Sequence, residues 1–273
     1  MKNDIKQIQL VVFDWAGTTV DYGSSAPSDV FERVFTAAGL HLTRQEINRP
    51  MGMEKKAHIR QLLLSESGDS QWKKIYGRAW DEEDVEKLYR QFEQTLHEVV
   101  ASYSAPIPGV VETVAELRRM GLKIGSTTGY NSEMMKQVLP RAEADGYKAD
   151  CVVTPDVTGI GRPSPFMLYE CMRQLNVYPP CCVVKVGDTT VDIEEGKNAG
   201  AFAVGILTGS NLLGLTQEEY DAMPAGELAK RKQEAAARYQ AAGADLVIDS
   251  IRDLPKAVET LNRRMAVVGE ERV

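Results

Sequence analysis

Three histidines and four cysteines are all that 273 residues offer of the side chains that most often bind transition metals. The cysteines, Cys151, Cys171, Cys181 and Cys182, lie in the second half without a CxxC spacing. That argues against metal binding through sulfur, and Cys181 and Cys182, at the start of a buried run, read as small apolar filler. Long hydrophobic runs are missing too, since no window approaches the roughly 18 apolar residues of a membrane span. The opening stretch, MKNDIKQIQLVVF, passes from charged to strand-like without the apolar segment and cleavage site of a secretory signal. The expected location is therefore the cytoplasm. No basic block stands out and the formal net charge is −7, which argues against a nucleic-acid surface. An anionic substrate would then need a site made locally positive by a metal ion, a few cationic side chains and backbone N–H groups.

What is present is a rhythm. Short runs rich in β-branched residues recur at 8–15, 122–128, 151–154, 181–188, 201–207 and 244–249. They are nearly continuous in apolar character rather than alternating, as strands covered on both faces are. Helical patterns separate most of them, such as 108–121, with Val110, Val111, Val114 and Leu117 at helical spacing and Gly121 as a stop. Alternating strand and helix predicts an α/β fold, a Rossmann-like, doubly wound parallel sheet. Residues 23–100 break the rhythm with helical patterns alone, at 27–39 and 81–103. The expected division is a catalytic core of 1–22 and 101–273, with an inserted all-helical cap domain at 23–100. His97, on the second of those helices, reads as a surface or packing residue. TQEE at 216–219 is a capping box, and the Ala-rich helix after it reads as structural.

Ligands of open α/β sheets gather at the carboxyl ends of the strands, so the polar residues ending each strand belong together. The first strand ends at Asp14, followed by Trp15, Ala16, Gly17 and Thr18; the second at Thr127, Thr128 and Gly129. GIGRPSP puts Arg162 just before a helix, and GDTTVD supplies Asp188 and Asp192. Singly, each has an ordinary structural reading as a turn former, helix cap or solvated charge. Together and in this order they resemble the haloacid dehalogenase superfamily of aspartate-nucleophile enzymes, over essentially the whole chain. The resemblance implies that Asp14 attacks, that Thr128 and Arg162 hold the phosphoryl group, and that the last acids hold Mg²⁺. A carboxylate can accept a phosphoryl group and split one hard transfer into two easier ones. Its own charge repels the incoming group, so Mg²⁺ has to bridge them. Asp14 and Asp188 are the expected carboxylate ligands, with the Ala16 carbonyl as a third and Asp192 beside them.

Ala16 is the anomaly, because many phosphate-handling enzymes carry a second acid two positions after the first. A departing alkoxide needs a proton, and general acid catalysis there is worth about 10²–10⁴-fold. A halide or a stabilised carbanion does not need it. RPMGMEKKAHIR at 49–60 offers the stabilisation: Lys55 can condense with an aldehyde, and the protonated imine accepts the electrons of a developing carbanion. His58, three residues on and on the same helical face, is expected to assist the proton transfers. FDWAGTTVDYG, PMGMEKKAH, GSTTGY, GRPSPF and KVGDTTVD resemble the motifs of the phosphonatase branch. That resemblance implies C–P hydrolysis of a small phosphonate, phosphonoacetaldehyde, within 2-aminoethylphosphonate degradation. It implies a Schiff base at Lys55, a phospho-aspartate at Asp14 and a homodimer made through the caps. It also places Trp15, Ala16, Met51, Gly129 and Tyr130 beside Thr128 and Arg162 at the substrate. A phosphate-ester hydrolase or phosphomutase lacking its acid, and a non-catalytic scaffold, stay open as alternatives.

Overall fold

The computed structural model describes residues 7–51 and 53–270, with side chains through 266. The charged start of the N-terminal stretch, residues 1–6, lies outside the described ones.

Six strands form one parallel sheet: β1 Leu10–Phe13, β2 Lys123–Thr127, β3 Cys151–Val153, β4 Val183–Gly187, β5 Phe202–Ile206 and β6 Leu246–Ile248. Their spatial order is β3-β2-β1-β4-β5-β6. β1 therefore sits where the winding reverses, with β2 on one side and β4 on the other, and that is where such sheets open a crevice. β1 explains its own continuous apolar run. Val11 and Phe13 enter one buried cluster, while Leu10 and Val12 enter the cluster on the opposite face.

Between β1 and β2, only helices occur among the described residues, apart from bridges at single residues. They are α1 Ser25–Ala37, α2 Arg44–Asn48, α3 Lys55–Leu64, α4 Glu66–Tyr76, α5 Glu82–Val99 and, returning to the sheet, α6 Val110–Arg119. α5 buries Val85, Leu88, Phe92 and Leu96 on one stripe, each fully buried side chain contributing about 1.5–3 kcal/mol. α1 packs against it, with the rings of Phe31 and Phe92 centred 4.2 Å apart. The chain leaves the sheet at Val20 and returns at Pro106, and those two residues pair in an isolated antiparallel bridge. Between Val20 and α1, the Asp21 carboxylate accepts from the N–H groups of Ser25 and Ala26.

The remaining helices are α7 Ser132–Ala144, α8 Pro155–Thr158, α9 Phe166–Leu175, α10 Thr190–Asn198, α11 Gln217–Ala222, α12 Ala225–Ala241 and α13 Leu254–Glu270. Thr216 caps α11 through the box read in the sequence. No helix of the described residues is long and apolar enough to cross a membrane.

Candidate active site

The register of the sheet sets the site. Phe13 pairs with Ser126 on one side and Val186 on the other, so Asp14, Thr127 and Gly187 end their strands level. Asp14, Thr128 and Asp188 emerge from that edge into one small cavity of about 20 Å³. Ala16, Met51, Lys55, Gly129, Tyr130 and Arg162 line it too, along with Ser24, Pro27 and Thr189. The space holds about one water molecule. A wider cleft of about 800 Å³ opens beside it and shares Lys55, Gly129 and Arg162.

Gly17 is required by close approach. Its φ is +85°, and a Cβ there would lie 2.1 Å from Asp188 Oδ2. The turn thereby brings the two strand ends together. Asp188 accepts from Thr18 Oγ1 at 3.2 Å and from the Asn211 N–H at 2.9 Å. Burial, followed by the neighbouring Asp14 and Asp192, pushes its carboxyl well above the usual range. Asp14, Asp188 and Asp192 each bring a carboxylate oxygen within 4.8 Å of the others, as a hard divalent ion would require.

Asp192 differs from its two neighbours. Its Oδ2 accepts from the Thr189 N–H and hydroxyl, and its Oδ1 faces Arg162 Nη1 at 2.8 Å and Lys185 Nζ at 3.1 Å. Its Oδ2 is thus tied to the start of its own helix, while its Oδ1 sits between two cations. Arg162 is buried and donates through Nη2 to Asp14 Oδ1 at 2.6 Å. Burial alone would lower its pKa, but Asp14, Asp192 and Glu195 outweigh that and push it up.

Lys55 opens α3, where the Glu54 carboxylate caps the next two N–H groups. The lysine is 5% exposed, and its Nζ lies 5.6–6.0 Å from the ring centres of Tyr130, Phe31 and Phe92. Burial lowers its pKa to about 8, against the opposing pull of Asp14, so a usable fraction is neutral amine. Lys56 points elsewhere, pairing with Glu86 at 2.7 Å and lying over Tyr89. The two adjacent lysines are thus separated by depth.

Besides Asp192, which lies behind the cavity lining, two sequence-derived site residues are not brought into the cavity. Trp15 is fully buried, its ring packed edge-on against Tyr147 at 5.1 Å. Neighbours along an extended chain point to opposite faces, so with Asp14 facing the crevice Trp15 faces the core. Only its backbone belongs to the turn, where its carbonyl accepts from Thr18, Thr19 and Val20. His58 is also fully buried and does not line the cavity. Its Nε2 lies 2.8 Å from the Ile47 carbonyl, and its ring packs on Phe31. Burial and then the charge of Lys55 push its pKa well below the usual value. With Nε2–H donating to Ile47, Nδ1 is left as an acceptor. His58 is therefore held as the neutral imidazole, behind the cavity wall rather than in it.

Sequence reading also missed Lys185 and Glu195, both fully buried behind Arg162. A lysine inside the run VVKVG was the available signal.

The haloacid dehalogenase-like hydrolase family matches residues 8–200, and the HAD-hydrolase-like family residues 159–254. A phosphonoacetaldehyde hydrolase from Bacteroides fragilis is 46% identical over 261 residues, 96% of this chain and 99% of that protein. The chain belongs to the phosphonoacetaldehyde hydrolase family of haloacid dehalogenase-like hydrolases. A family member from Bacillus cytotoxicus is 43% identical over 96% of this chain and all of that protein. Among solved structures, a phosphonoacetaldehyde hydrolase-like protein from Oleispira antarctica superposes with a TM-score of 0.93 at 37% identity, covering 96% of this chain and 95% of that one.

Proposed function

We propose that this chain hydrolyses the C–P bond of phosphonoacetaldehyde to acetaldehyde and phosphate. One observation carries the reading. A buried amine, its pKa lowered by burial to about 8, shares one small cavity with a carboxylate nucleophile, an arginine and a residue, Ala16, that leaves out the second acid.

In this reading the neutral Lys55 amine adds to the aldehyde and loses water, giving a protonated imine. The rings of Phe31, Phe92 and Tyr130 suit a cation at that nitrogen. An Asp14 oxygen attacks phosphorus while the C–P electron pair moves into the imine, leaving an enamine and an aspartyl phosphate. No oxygen leaves, so no acid is needed at position 16. Arg162, Thr128 and the N–H groups after Asp14 meet the charge on the transferring oxygens. Water then releases phosphate from Asp14, and the enamine takes a proton on carbon before the imine hydrolyses to acetaldehyde. His58 enters as a neutral acceptor of fixed tautomer, one helical turn from Lys55.

Magnesium fits the donor set. Asp14 and Asp188 are two buried carboxylates against one cavity wall, and Asp188 has no cationic partner among the described ion pairs. Bound there with the Ala16 carbonyl, Mg²⁺ would screen Asp14 from the phosphoryl charge. Asp192 supports the cluster by holding Arg162.

Helices α1 to α5 act as the cap in this reading and carry Lys55 to the core. We further infer a homodimer through the caps. Exposed Leu64, Ile75 and Tyr76 on α3 and α4 support it, as apolar surface that a partner would cover. The compartment is the cytoplasm, and the place in metabolism is 2-aminoethylphosphonate degradation.

The test is borohydride trapping with phosphonoacetaldehyde. An adduct on Lys55 is expected, with none in Lys55→Arg, which keeps the charge but forms no imine. Full turnover by a folded Lys55→Arg variant would overturn the reading.

A further inference from the structure

Lys185 and Glu195 are a lysine and a glutamate with no exposed surface, paired with each other, and the chemistry above uses neither. β4 lies between β1 and β5 in a sheet covered on both faces, where an apolar residue is the norm. A buried ion pair is weak support for stability, since burying the charges costs about what their attraction returns. The pair has another use, visible in what it touches.

Glu195 Oε2 lies 3.0 Å from Lys185 Nζ and 3.1 Å from Arg162 Nε. Lys185 Nζ also donates to Thr127 Oγ1 at 2.7 Å, and that hydroxyl donates to Glu195 Oε2 at 3.0 Å. Arg162 Nη2 donates to the Thr127 carbonyl at 2.5 Å. The guanidinium thus faces a carboxylate at each of its three nitrogens: Glu195 and Asp192 as ion pairs at Nε and Nη1, and Asp14 as a hydrogen-bonded pair at Nη2. Gly196 permits the arrangement, because a Cβ there would meet Lys185 Cβ at 3.0 Å.

The charges have a consequence. Asp192 and Glu195 are matched by Lys185 and Arg162 themselves, two against two, without Asp14. Were Lys185 apolar, the two carboxylates would draw on Arg162 alone and spend its positive field inside the protein. With Lys185 present, the edge of Arg162 that faces the cavity stays positive toward an arriving oxyanion.

We propose that Glu195 and Lys185 are positioning residues for Arg162, fixing the plane of its guanidinium and keeping its cavity edge electropositive for the phosphoryl oxygens. They also make arginine, rather than lysine, the cation this cradle fits. A single ammonium lacks the fork to reach Asp14, Asp192 and Glu195 together.

The inference rests on the proposed function for its substrate, so its test uses two readouts. Inorganic phosphate binding is measured by calorimetry with Mg²⁺ present, and kcat and KM are measured on phosphonoacetaldehyde. Glu195→Gln is made in the native chain and in Arg162→Lys. In the native chain it is expected to weaken phosphate binding and lower kcat/KM by about 10- to 100-fold, as misplacing a group that meets the reacting oxygens does. In Arg162→Lys the same change should cost less than about threefold, because the group it positions is gone. Should Glu195→Gln not fold, Lys185→Met with Glu195→Gln removes the pair as a neutral unit and enters the same cycle. Equal losses in both backgrounds, with thermal midpoints showing folded protein, would overturn the proposal. A chain that binds phosphate with the expected coupling but leaves phosphonoacetaldehyde uncleaved would sink the substrate reading and keep the cradle.

Discussion

Arg162 Nη2 reaches Asp14 Oδ1 at 2.6 Å across 148 residues of chain, so the nucleophile carries a cationic partner before any substrate arrives. Among the described ion pairs, Asp188 on the neighbouring strand end has none of its own. Burial and the charges of Asp14 and Asp192 hold it toward the protonated form. A divalent cation binds only the carboxylate, so it has to displace that proton. Mg²⁺ binding is therefore expected to release protons wherever that carboxyl is protonated, and to weaken as pH falls. Calorimetric titrations in two buffers of different ionisation enthalpy measure the release directly. Identical heats in both buffers would refute it. Chelation should abolish turnover, which separates this site from a metal-free dehalogenase.

Lys55 gives a second expectation, with a definite sign. Its pKa is lowered to about 8 by burial, and Asp14 pulls the other way. At pH 7 only about a tenth is neutral amine. The initial rate of imine trapping should rise about tenfold per pH unit below 7 and level off above 9. Asp14→Asn removes a charge that favours the ammonium, so the midpoint should move down. Lys56→Ala should leave the profile in place, since Lys56 is spent on Glu86 and Tyr89.

Ala16 separates C–P cleavage from ester cleavage. If the enzyme were a phosphatase lacking its acid, Ala16→Asp would restore about 10²–10⁴-fold on phosphate esters. In the Schiff-base reading the new carboxylate only crowds a cavity of about 20 Å³ beside Asp14 and Asp188. Phosphonoacetaldehyde turnover should fall at least about tenfold, without a comparable gain on any ester. Rates of phosphate release from both substrate classes decide it.

Much of this was legible because strand ends are where sequence and site coincide. The apolar runs located all six strands, and the polar residue after each run located Asp14, Thr128 and Asp188. Side-chain direction was not legible. Trp15 adjoins Asp14 in sequence, yet extended backbone turns it to the opposite face. His58 shares a helical face with Lys55 but is oriented by the Ile47 carbonyl, a partner that no spacing reveals. Lys185 and Glu195 were hidden differently. A charged residue in an apolar run reads as noise until its partner on the next helix, ten positions later, is seen beside it.

Glu93 and Asn131 carry the last expectation, which concerns how substrate reaches a cavity the size of one water. Glu93 lies on α5, and Asn131 caps α7 directly after Tyr130. Asn131 Nδ2 donates to Glu93 Oε1 at 2.6 Å, and the Tyr89 hydroxyl donates to the same oxygen at 2.6 Å. This contact ties the helical segment to the loop that lines the cavity, and with it closed Lys55 is 5% exposed. Glu93→Ala removes the shared acceptor and frees the closed state by about 0.5–1.5 kcal/mol, while Asn131 keeps its cap bond to the Met134 N–H. Acylation of Lys55 by a water-soluble reagent, read by peptide mass, should then speed up about 2- to 12-fold over the native chain. Acylation of exposed Lys136 serves as the internal standard and should not change. An unchanged Lys55 rate would mean that the segment opens without breaking this contact, and that closure is set by the Phe31–Phe92 packing above the lysine instead.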